Sequence, residues 1–230
     1  MFLIYHQLVI SFDKSENENS KLIAIPFENA IKKVSNCLTS ILIDDKLKTF
    51  KNTITVQGAG KSYYNEIFSQ ATTDDVRKKK FEEDYNSKTK KVVNMVSSKI
   101  IKNNIYDKDI TFETEFNIAE RLQTVGNLKI TDIPFLDKVY TRDIISLESR
   151  KYEIEYYNYE SVNEYNSEII LNVPTDKKIS EIPESKTFSF KGHKYDISYQ
   201  QLQPNILKVI RKVTLDWNNI SVADYLDYKK

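Results

Sequence analysis

The chain has 230 residues, of which 34 are basic and 33 acidic, and its formal net charge is +1. This length is enough for one large or two small domains, each with its own core. The balanced charge provides no overall field that would attract nucleic acid or anionic lipid, so we expect no nucleic-acid partner.

The first 60 residues are patterned as short strands. The N-terminal MFLIYHQLVISF is apolar but has neither a basic start nor a small-residue cleavage site, so we interpret it as a strand and not as a signal peptide. KLIAIPF and NCLTSILI are two further apolar strands. In KTFKNTITVQG one face carries Phe50, Asn52, Ile54 and Val56, which is typical of a strand half in water. No stretch approaches the length of about 18 apolar residues that a membrane-spanning helix requires, so we expect no membrane span.

One long helical segment is predicted over about residues 61–101. Thr72, Thr73, Asp74 and Asp75 offer a cap followed by acidic residues in the first turn. A helical face then steps by three or four residues through Phe81, Tyr85, Lys88, Val92, Val96 and Ile100. The basic residues 77–80 lie beside acidic ones, so we interpret the rest of the helix as a solvated face.

Strand patterns return after this helix. DITFETEFNI alternates between apolar and polar residues, and Gly126-Asn127 predicts a turn into a short LKI strand. Pro134 disfavours a central strand position, so we place a boundary near residue 140. The predicted organisation is a β-rich unit with a helical insert over residues 1–140 and an antiparallel β-meander or sandwich-like domain over residues 141–230.

The second unit alternates almost throughout. YNSEIILNV, HKYDISY and ILKVIRKVTLDW read as strands with proline and glycine between them, and Ser221 with Asp224 forms a capping box for a short last helix. The expected fold class is therefore mainly β, α+β overall. It consists of antiparallel β-sheet or β-sandwich-like units, one long helical insert and a short C-terminal helix.

Tyrosines are concentrated in residues 151–174. We interpret most of this stretch as sheet, because tyrosine is a strong strand former whose ring packs across strands. A second interpretation stays open at Tyr156, Tyr157 and Tyr159, which could form an exposed platform for a glycan or peptide.

The chain offers little material for catalysis. Cys37 alternates with apolar neighbours and is expected to be a buried, inert thiol, and the only histidines, His6 and His193, are not placed beside it by the sequence. No zinc or calcium pattern occurs, and Gly58-Ala59-Gly60-Lys61-Ser62 lacks the first glycine of a phosphate loop. We therefore predict no catalytic residue, no metal site and no cofactor.

The order of the motifs resembles a known arrangement. TRDIISLESRKYEIEYY, EIILNVP, KISEIPE, FSF, KYDISY, ILKVIRKVTL and ISVADYLDYKK resemble the C-terminal part, a domain of unknown function, of bacterial transglutaminase-like proteins. Upstream, ITVQGAGKSYYNEIF and DITFETEFNI extend the resemblance to about residue 35. The papain-like core of that family, with its catalytic Cys, His and Asp, has no counterpart here, so no catalytic residue is carried over.

The resemblance implies a non-catalytic accessory or interaction module whose partner is a transglutaminase-like, protease-like or other envelope protein. It also implies a periplasmic or cell-envelope location, although no signal peptide is visible. The alternatives are a carbohydrate- or peptide-binding β-sandwich module that uses exposed tyrosines and, third, a cysteine hydrolase that uses Cys37. Because unpaired sheet edges recruit strands, dimerisation through an edge strand is a further expectation.

Overall fold

The computed structural model describes residues 8–9, 23–24, 33–44, 46–69, 73–104, 106–137, 145–155, 162–216 and 219–229. The chain divides into two compact units, residues 1–32 and residues 33–230. In the first unit, strands β1 (Leu8–Val9) and β2 (Ile23–Ala24) pair in an antiparallel manner, and both lie in segments predicted as strands.

The second unit contains ten strands and three helices among its described residues. In chain order they are β3 (Val34–Ile43), β4 (Leu47–Gln57), α1 (Ala59–Ile67), α2 (Asp74–Thr89), β5 (Val93–Lys102), β6 (Asp109–Ala119), β7 (Gln123–Val125), β8 (Leu128–Ile130), β9 (Glu164–Asn172), β10 (Lys186–Phe190), β11 (His193–Gln203), β12 (Ile206–Thr214) and α3 (Tyr225–Lys229). The predicted β-rich α+β class with a short C-terminal helix is confirmed.

Eight of these strands form one mixed sheet in the order β10-β11-β12-β9-β3-β4-β6-β5. Strands β3 to β6 and strands β9 to β12 are two antiparallel sets, and the parallel pair β3–β9 joins them side by side rather than stacked. Strands from both sides of residue 140 therefore pair in one sheet. The two compact units of the structure are residues 1–32 and 33–230. The division into 1–140 and 141–230 stays a prediction.

The strand order of the C-terminal set differs from a simple meander. Strands β10, β11 and β12 are consecutive neighbours, but β9 pairs with β12 and not with β10. The connection after β9 passes the β11–β12 turn, where Val173 N–H donates to Asn205 O at 3.0 Å and Ile179 N–H donates to Pro204 O at 2.7 Å. This long connection, which contains Pro174 and Pro183, carries the chain across to β10 and leaves β9 beside the last strand, as in a Greek key.

The long helix predicted over 61–101 is shorter than expected. Helices α1 and α2 end by residue 89, and residues 93–102 form strand β5. Lys90 ends α2 in a left-handed conformation with φ 58°, and β-branched residues follow it. Val92 and Val96, which the helical spacing placed on an apolar face, are exposed. The predicted cap is confirmed, because Thr73 Oγ1 accepts a hydrogen bond from Val76 N–H at 3.4 Å.

The inner face of the sheet carries the main core, and helices α1 and α2 cover it. The alternation predicted for β4 is confirmed, since Phe50 and Ile54 are buried there. Aromatic rings join the layers: Phe50 stacks on Phe116 of β6 with centroids 4.5 Å apart, and Phe116 lies 5.0 Å from Tyr85 of α2. Each buried ring contributes roughly 1.5–3 kcal/mol relative to an exposed one.

Candidate functional site

Cys37 is a core residue of β3, as the alternation predicted. Its side chain is 4% exposed, and its Sγ lies 3.5 Å from Thr39 Oγ1. Burial raises the pKa of the Cys37 thiol to about 12, and the nearby Asp137 carboxylate acts in the same direction. A thiol in this environment stays protonated, so it does not supply the thiolate that nucleophilic catalysis requires.

His193 lies at the start of β11, away from Cys37. Register pairs Cys37 with Ser167, Ser167 with Arg211 and Arg211 with Ile197, so the two side chains are separated by three strand spacings and four residues along β11. That separation is roughly 20 Å at standard strand geometry. Burial lowers the pKa of the His193 imidazole, and Asp216 opposes that shift. The two residues do not form a nucleophile and base pair. His6 lies outside the described residues.

A buried ion pair lies on the inner face beside Cys37. Arg211 Nη2 and Asp137 Oδ1 form an ion pair with the two atoms 2.5 Å apart. Arg211 Nη2 also donates to Asp137 O at 3.1 Å, and Ser167 Oγ donates to Asp137 Oδ2 at 2.5 Å. The Arg211 guanidinium lies 4.0 Å from the Phe135 ring centroid. These contacts attach residues 135–137 to the sheet.

A second group of buried polar side chains lies between β4, β6 and α2. Asn52 Nδ2 donates to Thr114 Oγ1 at 3.2 Å, and the Tyr85 hydroxyl is 3.0 Å from the same oxygen. All three residues are buried. These contacts join Tyr85 of α2 to β6 and Asn52 of β4 to β6, and they partly offset the cost of burying polar groups.

A charged clamp ties β4 to the residues after β6 and β8. Lys48 is 2% exposed, and its Nζ donates to Glu120 Oε2 at 2.8 Å and to Asp132 Oδ1 at 2.9 Å. Lys91 also pairs with Glu120. Hydrogen bonds from Lys48 and Lys91 lower the pKa of Glu120. At Asp132 partial burial acts to raise the pKa, but the Lys48 hydrogen bond and charge contribute to a net lowering.

The residues predicted as a ligand platform, Tyr156, Tyr157 and Tyr159, lie outside the described residues. Their neighbours differ from one another: Tyr152 is exposed, whereas Tyr165 of β9 is buried in a second core cluster with Ile154 and Tyr225. Of the tyrosine-rich stretch that is predicted to be mostly sheet, the described residues place Glu164–Asn172 in strand β9, and Ile154 makes an isolated bridge to Ile220.

Strands β7 and β8 form a separate two-stranded hairpin whose eight residues are all exposed. Gly126 has φ 58° at the first turn position, as a type II′ turn requires, which confirms the turn predicted there. Val125 lies opposite Leu128, and Ile130 lies on the same side. These three side chains are 60%, 42% and 51% exposed, and we call them the hairpin face. The sequence predicted the LKI strand but gave no sign that its apolar side would be uncovered.

Residues 126–230 match a family model. Its description is "Domain of Unknown Function with solved-structure structure (DUF3858)". Neither the curated proteins nor the solved structures contain a match to this chain.

The DUF3858 match confirms the coarse part of the expected resemblance, a domain of unknown function at the C-terminal side. It begins at Gly126, in the turn of the β7–β8 hairpin, and covers the antiparallel set β9 to β12 together with Arg211, Asp137 and His193. Cys37 and the Lys48 end of the clamp lie outside it. The description carries no activity, so the link to transglutaminase-like proteins stays a prediction.

The remaining site predictions concern metals and membranes. Within the ranges that the structure describes, no group of three or more His, Cys, Asp or Glu side chains is arranged to hold a metal ion. Among the helices of those ranges, none has the length and apolar character needed to cross a membrane.

Proposed function

We propose that this chain is a non-catalytic interaction module and that the hairpin face is its docking surface. The observation that carries the proposal is the exposure of Val125, Leu128 and Ile130 on one side of a two-stranded sheet. A hairpin of two strands is marginally stable in water unless its apolar side packs against something. A partner that covers these side chains would stabilise the hairpin and gain apolar contact area at the same time.

The chemistry of the described residues is in keeping with a binding role. The Cys37 thiol has a pKa raised to about 12 by burial, and it is three strands away from His193. An assembled cysteine hydrolase site would need a thiol with a lowered pKa and a base within hydrogen-bond reach. The buried ions at Arg211 and Lys48 instead join segments of the fold to the sheet.

The partner we propose is a transglutaminase-like protein of the cell envelope. The support for this finer statement is the order of motifs in the sequence, whereas the DUF3858 match over residues 126–230 supports only the coarser one, a domain of unknown function on the C-terminal side. On this proposal the chain positions or packs against the catalytic protein and contributes no reacting group. The carbohydrate or peptide platform at Tyr156, Tyr157 and Tyr159 stays a prediction.

The test compares two charge substitutions on opposite sides of the hairpin. Leu128→Glu changes the hairpin face, whereas Thr124→Glu changes an exposed residue on its other side. Each variant and the wild type are expressed in the native cells, and the mass of the complex that contains the chain is measured. We expect Leu128→Glu to lower the complexed fraction at least about tenfold and Thr124→Glu to leave it unchanged, because charge at a desolvated apolar contact is strongly unfavourable.

Three results would contradict the proposal. They are equal loss with both variants, no complex with the wild type, and turnover of acyl-donor or peptide substrates by the purified chain. The identity of the partner in the wild-type complex then tests the transglutaminase-like assignment separately.

A further inference from the structure

Strand β5 is one edge of the eight-stranded sheet. An edge strand has outward N–H and C=O groups that can pair with a strand of another chain. Two of these donors already have partners on α2: Val93 N–H donates to Asn86 Oδ1 at 2.7 Å, and Met95 N–H donates to Glu82 Oε1 at 2.9 Å. We propose that these contacts form a guard that prevents β5 from pairing with β5 of a second copy of this chain.

The geometry of α2 suits this role. Glu82 and Asn86 are one helical turn apart, about 6 Å along the axis, and Met95 and Val93 are about 6.6 Å apart along the strand. Two acceptors on consecutive turns therefore meet two outward donors in succession. Lys78 lies one helical turn before Glu82 on the same side of α2. Its ammonium group has only donors, so it cannot accept a hydrogen bond from a further N–H of β5. The guard covers the first half of β5.

The second half of β5 has features that favour pairing with another strand and features that oppose it. Register places the N–H groups of Ser98 and Ile100 on the outer side, and Val96, Ile100 and Ile101 are exposed. Irregularities between Met95 and Ser97 and between Ile100 and Lys102 disturb the strand. Bulges and edge lysines are known obstacles to strand addition, so the helix contacts belong to a wider protection of this edge.

A second copy of β5 is the occupant that fits when the guard is removed. If residue 93 pairs antiparallel with residue 100 of the second copy, residue 95 pairs with residue 98, so the four outward residues of β5 meet outward partners. Lys99 then lies opposite Asn94, and the exposed Ile100 lies opposite Val93 and gains a cross-strand neighbour. The pairing needs the N–H of Met95 and Val93, which are the donors that Glu82 and Asn86 occupy.

The experiment removes the two acceptors while the helix is kept. The double variant Glu82→Ala/Asn86→Ala introduces residues with high helix propensity. Its matched control is Glu83→Ala/Ser87→Ala, one position along on the exposed side of the same helix. Sedimentation of the full chain over a range of concentrations gives the dissociation constant of self-association. We expect the first double variant to lower that constant at least about tenfold relative to the wild type, and the control to leave it unchanged.

Two further variants make the result specific to β5. Glu82→Gln/Asn86→Asp retains an acceptor oxygen at both positions and should behave like the wild type. Adding Ser98→Pro to the alanine pair removes an outward N–H and should abolish the dimer, since proline is tolerated at an edge but cannot donate.

Amide hydrogen exchange gives a second readout that does not require dimers. At low concentration the amides of Val93 and Met95 should exchange at least about tenfold faster in the alanine variant than in the control, and at high concentration they should regain protection. A folded alanine variant that stays monomeric, or a dimer that survives Ser98→Pro, would overturn the proposal. The hairpin face plays no part in these outcomes, so they are independent of the proposed function.

Discussion

Cys37, Ser167 and Arg211 lie side by side on three neighbouring strands, and their chemistry differs because their partners differ. The Arg211 guanidinium has an ionic partner in Asp137 and an aromatic one in Phe135, and these contacts offset the cost of burying its charge. The Cys37 thiol lies 3.5 Å from the Thr39 hydroxyl, and burial disfavours its thiolate.

The raised pKa of Cys37 predicts a thiol that does not react in the folded protein. At pH 8 a pKa of about 12 leaves about one thiolate in 10,000. We expect labelling by a maleimide to be at least about 100-fold slower in the native protein than in urea, measured by mass spectrometry at pH 8, with Cys37→Ala as the unlabelled control. Rapid stoichiometric labelling of the folded chain would show an accessible, activated thiol instead.

At the scale of elements, buried polar contacts decide where the segments outside the large sheet attach. Arg211 holds residues 135–137 on β12, and Lys48 holds Glu120 and Asp132 at the end of β4. Side chains of α2 occupy the β5 edge. Each attachment uses a charged or amide side chain where an apolar one would pack but would not select a single orientation.

The Lys48 clamp predicts a dependence of stability on pH. Because the pKa values of Glu120 and Asp132 are lowered in the folded state, their contribution is present above the unfolded carboxyl pKa of about 4 and is lost as pH falls through the folded values. We expect Lys48→Met to lower the free energy of unfolding by about 1–2 kcal/mol at pH 7, less than for a fully buried pair because both carboxylates reach water. Its pH dependence below about pH 4.5 should be flatter than in the wild type.

Urea unfolding at pH 7 and at several acidic pH values measures both effects. The matched control is Lys51→Met, an exposed lysine on the same strand that lies 3.7 Å from Glu115. It should change the free energy of unfolding by less than about 0.5 kcal/mol. Equal effects of the two substitutions on the free energy of unfolding, or unchanged acid sensitivity in Lys48→Met, would show that the Lys48 clamp does not stabilise the fold.

At the scale of the whole molecule, the features that the sequence predicts correctly are those that depend on the local alternation of side chains and on backbone preference. The inward positions of β4, β6 and β9, the Thr73 cap and the Gly126 turn follow from side-chain period and backbone preference. The helix predicted over residues 93–101 is wrong because the four-residue spacing of Val92, Val96 and Ile100 fits both a helix and a strand.

Pairing partners required information that local patterns do not contain. The parallel β3–β9 pair and the β9–β12 neighbours join residues more than 30 positions apart, and turn signals do not specify such contacts. Arg211 was visible as a charged residue at an inward position of an apolar alternation, which is a usable signal for a buried ion pair. Its partner Asp137 was not, because it lies outside any periodic segment.

The measurement that tests the interaction module most directly is photo-crosslinking in the native cells. A photoreactive phenylalanine analogue replaces Leu128 on the hairpin face or, as the control, Thr124 on the opposite side of the same hairpin. We expect one dominant crosslinked partner from position 128 and little or none from position 124. Equal, diffuse crosslinking from both positions would show that the hairpin face is solvent-exposed but is not a docking surface.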